Sequence, residues 1–372
     1  MKLAAQNAGR VWGGNEKWLC TVAAGLRARG HEVVVACRAD GPVAAELARR
    51  GVATAHVLPG GYLAAWRGLR FARWLRRERP DALLLTSWKG TGWGAWAARR
   101  AGVPRTVVRL GIVRELRHRR HALPFRRGVD ALVVNAPEIR EAWTRSAPWF
   151  PPGAVHVVLN GIQPAPPPSA EDRRALRAEL GAGADTLLVA GAGNLARRKG
   201  FDLLLDAFAR AAVPGSRLAI VGAGPEEAAL RARAERLGIA ERVCWAGHRD
   251  DVPGVLAACD LFVLSSRNEG MANVMLEAMA AGTPVVAADV SGVRDALGPA
   301  ADGAPAGWIV PPEDPAALGE AIAEVLADLR AGGGEAARRA DEARHRVAER
   351  FGVERMLDEV ERVLFPALTR LA

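Results

Sequence analysis

Two carboxylates, Glu269 and Glu277, flank the start of a predicted helix and are the first candidates for chemistry. The residues between them begin with Gly270-Met-Ala-Asn, and small residues there let the backbone come close to a ligand. A helix N-terminus has free N–H groups and a partial positive charge, which suit a phosphate. Because carboxylates bind an anion poorly, the pattern favours neutral hydroxyls beside it, as on a sugar and a ribose. The alternative is an ordinary βαβ unit with two surface glutamates.

A basic loop supplies the candidates for binding phosphate. Arg198 and Lys199 follow a turn at Gly193 and precede a helix that begins near Gly200. Cations beside a helix N-terminus, after a glycine turn, suit a diphosphate. The alternative is a surface charge cluster that binds no ligand.

The elements that must position these residues are alternating strands and helices. Around the two carboxylates the order is an apolar strand at 261–266, a loop, a helix, Gly282, a proline and a β-branched strand, which makes a βαβ unit. A chain of 372 residues is too long for one typical domain, and the stiff, proline-rich run 163–169 divides it. We therefore predict an α/β fold with two doubly wound domains, residues 1–163 and 164–350.

Charge and tryptophan are distributed unevenly along the chain. The formal net charge is +10, with a surplus of 17 positive residues in 1–163 and of 7 negative residues in 164–372. Nine of the 11 tryptophans also precede residue 164. Only the first half is therefore expected to face an anionic partner: a membrane surface, an acidic acceptor or a nucleic acid. No nucleic-acid-binding motif accompanies the charge, so we predict no nucleic-acid partner.

The sequence shows no signal for spanning a membrane or for secretion. No apolar run reaches the roughly 18 residues needed to cross a bilayer, and the N-terminal segment is too short and too polar for a secretory signal. The four cysteines have no metal-ligand spacing and lie within apolar stretches, as small core residues do in a reducing compartment. We therefore expect a cytoplasmic protein.

Basic segments of the first half are candidates for acceptor or membrane binding. Residues 62–79 form an amphipathic helix pattern with six arginines, and residues 114–127 are the densest basic run. The plain alternatives are a helix that covers the sheet and a solvated charge run. The sharper interpretation is contact with anionic lipid headgroups or an acceptor, with Leu116, Leu123 and Phe125 inserted into the interface. The tentative acceptor or membrane residues are Trp66, Arg70, Trp74, Arg109, Arg117 and Arg120.

Several motifs resemble one family. The Glu-x7-Glu spacing, followed by Gly-Thr-Pro-Val-Val at 282–286, resembles the signature of the GT4 family of retaining, nucleotide-sugar-dependent glycosyltransferases. The runs at 160–162 and 307–312 resemble two further family motifs, and Arg-Lys-Gly at 198–200 resembles its lipopolysaccharide-core members. The resemblance implies the GT-B fold, in which two Rossmann-like domains face a cleft. It also implies that a C-terminal helix, residues 353–371, packs back on the first domain.

The resemblance implies roles for residues of the donor site. Glu269 lies against the donor sugar, and Glu277 holds the ribose hydroxyls. Arg198 and Lys199 bind the leaving diphosphate, and backbone near Val243 contacts the nucleobase. Catalysis is thus implied for Glu269, Arg198 and Lys199, and donor binding for Gly13, Gly14, Gly193, Asn194, Val243, Gly270, Met271, Ala272, Asn273, Val274 and Glu277.

The sequence also departs from the family. Asn194 occupies the place of a usual arginine. The predicted strand 106–110 ends at Arg109-Leu-Gly, without the histidine that commonly contacts the donor sugar. Asp250 and Asp251 precede a helix, as N-cap residues do, and form no metal-binding D-x-D motif. With arginine and lysine on the phosphates, we predict that neither a metal nor another cofactor is required.

The resemblance implies transfer of a hexose-type sugar with retention. The donor is a nucleoside-diphosphate sugar, with a UDP-sugar favoured over a GDP-sugar, and the acceptor is a cell-envelope lipid, a lipopolysaccharide or another glycan. The protein is expected in the cytoplasm, peripherally on the inner face of the cell membrane. Two alternatives stay open: a nucleotide-sugar epimerase on the same fold, and a non-catalytic protein that binds a membrane or nucleic acid.

Overall fold

The chain forms two compact units, each built on its own parallel sheet. The structure is a computed structural model that describes residues 1–60, 64–112, 119–299 and 303–368. One unit comprises Met1–Gly161 with Val353–Ala372, and the other comprises Ile162–Gly352. The sequence analysis placed the first boundary two residues later, after Gln163. The predicted α/β class with two doubly wound sheets is confirmed.

The first unit has a seven-stranded sheet in the order β3-β2-β1-β4-β5-β6-β7. Its strands are β1 (Lys2–Gln6), β2 (Glu32–Ala36), β3 (Ala53–Ala55), β4 (Ala82–Leu85), β5 (Arg105–Leu110), β6 (Ala131–Val134) and β7 (Val155–Val157). Its helices are α1 (Gly14–Ala28), α2 (Pro42–Arg49), α3 (Ala64–Glu78), α4 (Trp88–Ala101), α5 (Arg119–Gly128) and α6 (Pro137–Ser146), followed at the chain end by α15 (Val353–Leu364). Helices cover both faces, so the five inner strands are largely buried and read as continuous apolar runs, whereas the edge strands β3 and β7 are partly exposed.

Helix α15 belongs to the first unit. Its buried residues recur at helical spacing and pack against α1 and over β4, β5 and β6. Arg29, at the end of α1, forms ion pairs with Glu354, Asp358 and Glu361 of α15. Apolar packing and ion pairs therefore fix this terminal helix to the sheet.

The second unit has a six-stranded sheet in the order β10-β9-β8-β11-β12-β13. Its strands are β8 (Leu187–Ala192), β9 (Ser216–Val221), β10 (Val243–Gly247), β11 (Leu261–Leu264), β12 (Val285–Ala288) and β13 (Trp308–Val310). Its helices are α7 (Ala170–Glu179), α8 (Phe201–Ala211), α9 (Glu227–Arg236), α10 (Val252–Ala258), α11 (Asn273–Ala281), α12 (Val293–Leu297), α13 (Pro315–Arg330) and α14 (Gly334–Arg350).

Each sheet reverses its strand order once, between β1 and β4 and between β8 and β11. Open α/β sheets bind ligands outside the carboxyl ends of the strands at such a reversal. The chain therefore provides one candidate edge in each unit. Within the described residues, no helix combines the length and apolarity needed to cross a bilayer.

The expected N-cap at Asp250 and Asp251 is only partly correct. Asp251 occupies the N-cap position of α10, but its side chain accepts no capping hydrogen bond. It binds Arg249 instead, with Nε–Oδ1 and Nη2–Oδ2 distances of 2.8 and 2.7 Å. The adjacent arginine takes the carboxylate because a guanidinium binds both of its oxygens at once and carries the opposite charge, which a backbone N–H does not.

Candidate functional site

Two loops meet at the carboxyl ends of β8 and β11 in the second unit. The loop after β8 passes through a 3₁₀ turn, Arg197–Lys199, and reaches Gly200 at the N-cap of α8. Gly200 has a φ of +65°, and a Cβ there would collide with the carbonyl oxygen of Ser265 in the other loop. Only glycine allows this left-handed turn and this close approach together. The two loops are thus packed backbone against backbone.

Glu269 gathers three hydrogen-bond donors on one oxygen atom. The residue is 7% exposed, and its Oε1 accepts from Arg198 Nη1 at 3.1 Å and from Ser266 Oγ at 3.1 Å. Lys199 Nζ forms an ion pair with the same oxygen. Among the described residues no donor bonds to Oε2, which keeps its lone pairs. The structure thus brings together the three residues for which the sequence predicted catalysis.

The two cations differ in their exposure. The side chain of Lys199 is 13% exposed, and that of Arg198 is 48% exposed. Lys199 and Glu269 are therefore a shielded pair, whereas the Arg198 guanidinium reaches the surface with N–H groups to spare. Two cations against one carboxylate leave a net positive charge, so this cluster suits an anion with more than one negative oxygen.

Helix α11 begins beside this cluster. Its N-cap, Ala272, supplies no side-chain hydrogen bond. Asn273 and Glu277 are four residues apart in the helix, so they lie on one face, and both are half-buried, as is Val274. Gly270 and Met271 are buried and pack directly against Gly292. Contact with Gly292 thus accounts for part of the close packing here, and the donor-binding role assigned to Gly270 and Met271 from the sequence stays a prediction.

The end of β9 lies against the turn after β8. Gly222 has a φ of +135°, and a Cβ there would collide with the carbonyl oxygen of Gly193. Gly193 in turn lies against the aliphatic stem of Lys199. Asn194 follows and is half-buried. These contacts fix the position at which the loop of residues 193–199, here called the cation loop, leaves the sheet.

The structure does not bring Val243 to this edge. Val243 is the first residue of β10, pairs with Leu218 and is 6% exposed in the core. The other end of β10 reaches the site, because the Gly222 N–H donates to the carbonyl of Gly247 at 2.7 Å. Four residues of strand separate the two ends by roughly 13 Å. The predicted nucleobase contact at Val243 is therefore misplaced, since only carboxyl ends of parallel strands meet at this edge.

In the first unit the glycine pair lies at the start of α1. Gly13 is the N-cap and Gly14 the first helical residue, and the Glu16 carboxylate lies close to Gly13. Asn7 Nδ2, just after β1, donates to Glu16 Oε1 at 3.2 Å. The Glu16 carboxylate thus lies beside this helix start, and the donor-binding role that the resemblance implies for Gly13 and Gly14 stays a prediction.

Arg109 is a buried cation at the end of β5. It is 6% exposed, donating from Nη1 to Asn15 Oδ1 at 2.8 Å and from Nη2 to Asn160 Oδ1 at 3.2 Å. Its guanidinium carbon lies 4.3 Å from the centre of the Trp18 ring. Among the described residues no carboxylate forms an ion pair with it, and burial lowers its pKa to about 10, opposed by the charge of Glu16. Arg109 therefore cannot contact a membrane surface, and it anchors side chains at the edge of the sheet.

The basic helix α3 divides into an exposed and a buried face. Trp66 is 52% exposed, and the Arg70 guanidinium stacks on it at 4.8 Å. Trp74 is buried against Phe71, so it belongs to the core and not to a membrane-binding face. Trp74 thus agrees with the covering-helix alternative, whereas contact of Trp66 and Arg70 with headgroups stays a prediction.

The second basic segment is described only in part. Leu116 and Arg117 lie outside the described residues, and so does the side chain of Arg120. Phe125 is 3% exposed and packs against Trp143, which contradicts its expected role at an interface. Leu123 is 49% exposed, as that role requires.

Some residues of the two sites were not found from the sequence. They are Ser266, which bonds to Glu269, and the partners of Arg109, namely Asn15, Trp18 and Asn160. A usable signal existed for two of them: Asn15 directly follows the Gly13-Gly14 pair, and Asn160 precedes a glycine at a domain boundary. Across the described parts of the chain, no three His, Cys, Asp or Glu side chains come together in a way that could hold a metal ion.

Comparisons with known proteins find two family models in the chain. Residues 12–165 match the model of Glycosyltransferase Family 4, and residues 172–346 match that of Glycosyl transferases group 1. The lipopolysaccharide core biosynthesis glycosyltransferase LpsE of Rhizobium meliloti (strain 1021) is 33% identical over 59% of this chain and 58% of its own length. The chain thus spans less than two thirds of that relative.

Longer matches are also found. The 2-deoxystreptamine glucosyltransferase of Streptomyces kanamyceticus is 30% identical over 75% of this chain and 76% of its own length. The crystal structure of Anabaena Alr3699/HepE in complex with UDP-glucose superposes with a TM-score of 0.85 and 24% identity, covering 98% of this chain and 100% of that one. This likeness confirms the GT-B fold class.

Proposed function

Because the chain belongs to the glycosyltransferases of family 4 and group 1, we propose that it transfers a hexose-type sugar from a nucleoside-diphosphate sugar to a cell-envelope acceptor. The observation that carries the proposal is the meeting of Arg198, Lys199 and Glu269 at one sheet edge. The acceptor class is a lipid, a lipopolysaccharide or another glycan, supported by the likeness to LpsE. A UDP-sugar is the favoured donor, supported by the likeness to HepE with UDP-glucose, and a GDP-sugar is the second choice.

In the proposed reaction the bond between the anomeric carbon and the β-phosphate oxygen breaks, and its electron pair leaves with the diphosphate. Arg198 and Lys199 exchange part of their contact with Glu269 for the phosphate oxygens and stabilise the charge that develops there. Glu269 Oε2 accepts a hydrogen bond from a sugar hydroxyl, and Glu277 holds the ribose. The acceptor hydroxyl attacks from the face that the diphosphate leaves, so the configuration at the anomeric carbon is retained. Its proton passes to the departing diphosphate oxygen on the same face.

The proposal requires no metal ion and no other cofactor. Arg198 and Lys199 together supply the two positive charges that a divalent cation would otherwise bring to the diphosphate. Transfer rates measured with and without EDTA test this point. Anomeric proton coupling constants of the product, measured by NMR, test retention.

We also propose a cytoplasmic enzyme that works at the inner face of the cell membrane. Trp66 and Arg70 form an exposed aromatic and cationic pair on a helix rich in arginine, which suits anionic headgroups. Flotation with phosphatidylcholine vesicles, with or without phosphatidylglycerol, tests this. Trp66→Ala should reduce binding to the anionic vesicles, whereas Arg231→Ala should not, because Arg231 forms the same kind of stack on Trp245 in the acidic second unit.

The transferase proposal itself is tested in two steps. A thermal-shift panel of UDP-, GDP- and ADP-sugars identifies the donor, because a ligand that binds only the folded state raises its stability. Transfer to lipopolysaccharide or lipid acceptors is then measured for the wild type, Glu269→Ala and Lys199→Ala. Wild-type rates in both variants would refute the assigned roles. Conversion of the donor sugar to an epimer without any acceptor would favour the epimerase alternative.

A further inference from the structure

Arg267 connects the two loops of the second-unit site without touching Glu269. It lies two residues before Glu269 in the loop after β11, and its side chain is 16% exposed. Its two terminal nitrogens donate to the two carboxylate oxygens of Asp202, each at 2.7 Å. Asp202 is in the first turn of α8, directly after the loop that carries the two cations. This planar, two-point pair joins loops that are 65 residues apart in the sequence.

The same residue also binds the backbone of the cation loop. Arg267 Nη1 donates to the carbonyl of Arg197 at 2.9 Å, and its backbone N–H donates to the carbonyl of Arg198 at 2.8 Å. Ser265 Oγ donates to the carbonyl of Lys199 at 3.2 Å. Three consecutive carbonyls of the cation loop are therefore held by residues of the loop that carries Glu269.

We propose that Arg267 and Asp202 are a positioning pair for diphosphate binding. They hold the backbone of Arg198 and Lys199 in the position from which both side chains reach Glu269 and a diphosphate at the same time. Neither Arg267 nor Asp202 touches the substrate. The inference rests on the proposed function, because it assigns a purpose to the geometry of that donor site. Only arginine can serve, since lysine has no planar fork to bind a carboxylate at two points and a carbonyl as well.

The chain offers a matched control in Arg233. Its Nε donates to Asp206 Oδ1 at 2.8 Å, and Asp206 is one turn after Asp202 on α8. This pair joins α8 to α9, and its hydrogen bonds are to Asp206 and not to the backbone of the loop at 193–199. Arg233→Lys therefore breaks a fork of the same type one turn further along the same helix, and it keeps the positive charge that Asp202 and Arg267 sense.

The experiment is a calorimetric titration of the full chain with UDP, GDP and ADP and with the matching monophosphates. Wild type, Arg267→Lys, Asp202→Asn, Lys199→Ala, Arg267→Lys/Lys199→Ala and Arg233→Lys are compared, each after a thermal-unfolding check that it is folded. Arg267→Lys and Asp202→Asn should each lower the affinity for whichever diphosphate binds the wild type by about tenfold. This is the size of effect expected from one charge-assisted hydrogen bond. Both variants should bind the matching monophosphate with the affinity of the wild type, because a monophosphate lacks the β-phosphate that the two cations contact.

The double variant separates positioning from general damage. If Arg267 acts through Lys199 and Arg198, most of its effect should vanish once Lys199 is alanine, so the two substitutions are not additive. Arg233→Lys should bind UDP like the wild type. Full additivity, equal weakening of diphosphate and monophosphate, or unchanged binding in Arg267→Lys would overturn the inference alone. Failure of the wild type to bind any of the three diphosphates would overturn the proposed function and the inference with it.

Discussion

Replacing Glu269 with glutamine should lower the stability of the second unit and, at the same time, strengthen its binding of UDP. The substitution keeps the shape of the side chain and the hydrogen bond from Ser266, but it removes the negative charge that both cations share. Without ligand, Lys199 is then a shielded cation with no counter-charge. With UDP bound, the diphosphate supplies that charge.

The magnitude follows from the exposure of each partner. The Lys199–Glu269 pair is shielded on both sides, so its loss costs about 2 kcal/mol. Arg198 is 48% exposed, and solvent screening limits its share to about 0.5 kcal/mol. The free energy of unfolding should thus fall by about 2 to 3 kcal/mol, which lowers the melting temperature by roughly 5 °C or more in a unit of this size. The bound diphosphate restores about 1.4 kcal/mol of this lost stabilisation by neutralising Lys199, so the affinity of the variant for UDP should be about tenfold higher than that of the wild type.

Thermal unfolding with and without saturating UDP, together with calorimetric titration, measures both effects. Asp206→Asn is the matched control, because it removes the same charge from a carboxylate that pairs with Arg233 away from the site. Its UDP-induced shift should equal that of the wild type, whereas the shift in Glu269→Gln should be larger. Transfer by Glu269→Gln should nevertheless fall about 100-fold, since the amide cannot reproduce the carboxylate contact to the sugar. A variant as stable as the wild type, or with a smaller UDP shift, would refute this reasoning.

Three further predictions concern the scaffold. Gly222→Ala should destabilise the second unit by about 3 kcal/mol or more in urea unfolding, because the new Cβ meets a backbone carbonyl at positive φ; an unchanged midpoint would contradict the close approach of β8 and β9. Arg109→Met should lower the melting temperature of the first unit and its free energy of unfolding by about 1 to 3 kcal/mol, because Asn15 and Asn160 lose a hydrogen-bond donor. A more stable variant would contradict this, since it would show that desolvation of the buried charge outweighs these hydrogen bonds. Burial raises the pKa of Cys259 to about 12 from an ordinary 9.0, so the unfolded thiol loses its proton first and stability falls as the pH rises above about 9. Cys259→Ala should reduce that fall by about 1.4 kcal/mol per pH unit, as measured by urea unfolding between pH 8 and pH 11, and an identical slope would count against the shift.

The meeting of Arg198, Lys199 and Glu269 could be predicted from the sequence for a physical reason. Apolar strand runs followed by glycine turns mark the carboxyl ends of strands. In a parallel sheet those ends share one edge. The loops after β8 and β11 therefore had to come close, whatever their detailed conformation. The motif spacing then selected which side chains of the two loops would meet.

The residues that were misplaced or missed from the sequence have other physical causes. Val243 was assigned to the correct strand but to its amino end, which lies at the opposite edge of the sheet. An amphipathic pattern gives the direction of the buried face and not its width, so it could not show that Trp74 and Phe125 are buried while Trp66 is exposed. The fork between Arg267 and Asp202 depends on side-chain geometry across 65 residues, and no local pattern encodes it.

The central claim is that the cation loop and the loop carrying Glu269 bind one diphosphate together. The most direct measurement is a crystal structure of the chain with UDP. The account predicts β-phosphate oxygens within hydrogen-bond distance of Arg198 and Lys199, with the ribose hydroxyls on Glu277. A diphosphate bound at another edge, with both cations still on Glu269 alone, would contradict it.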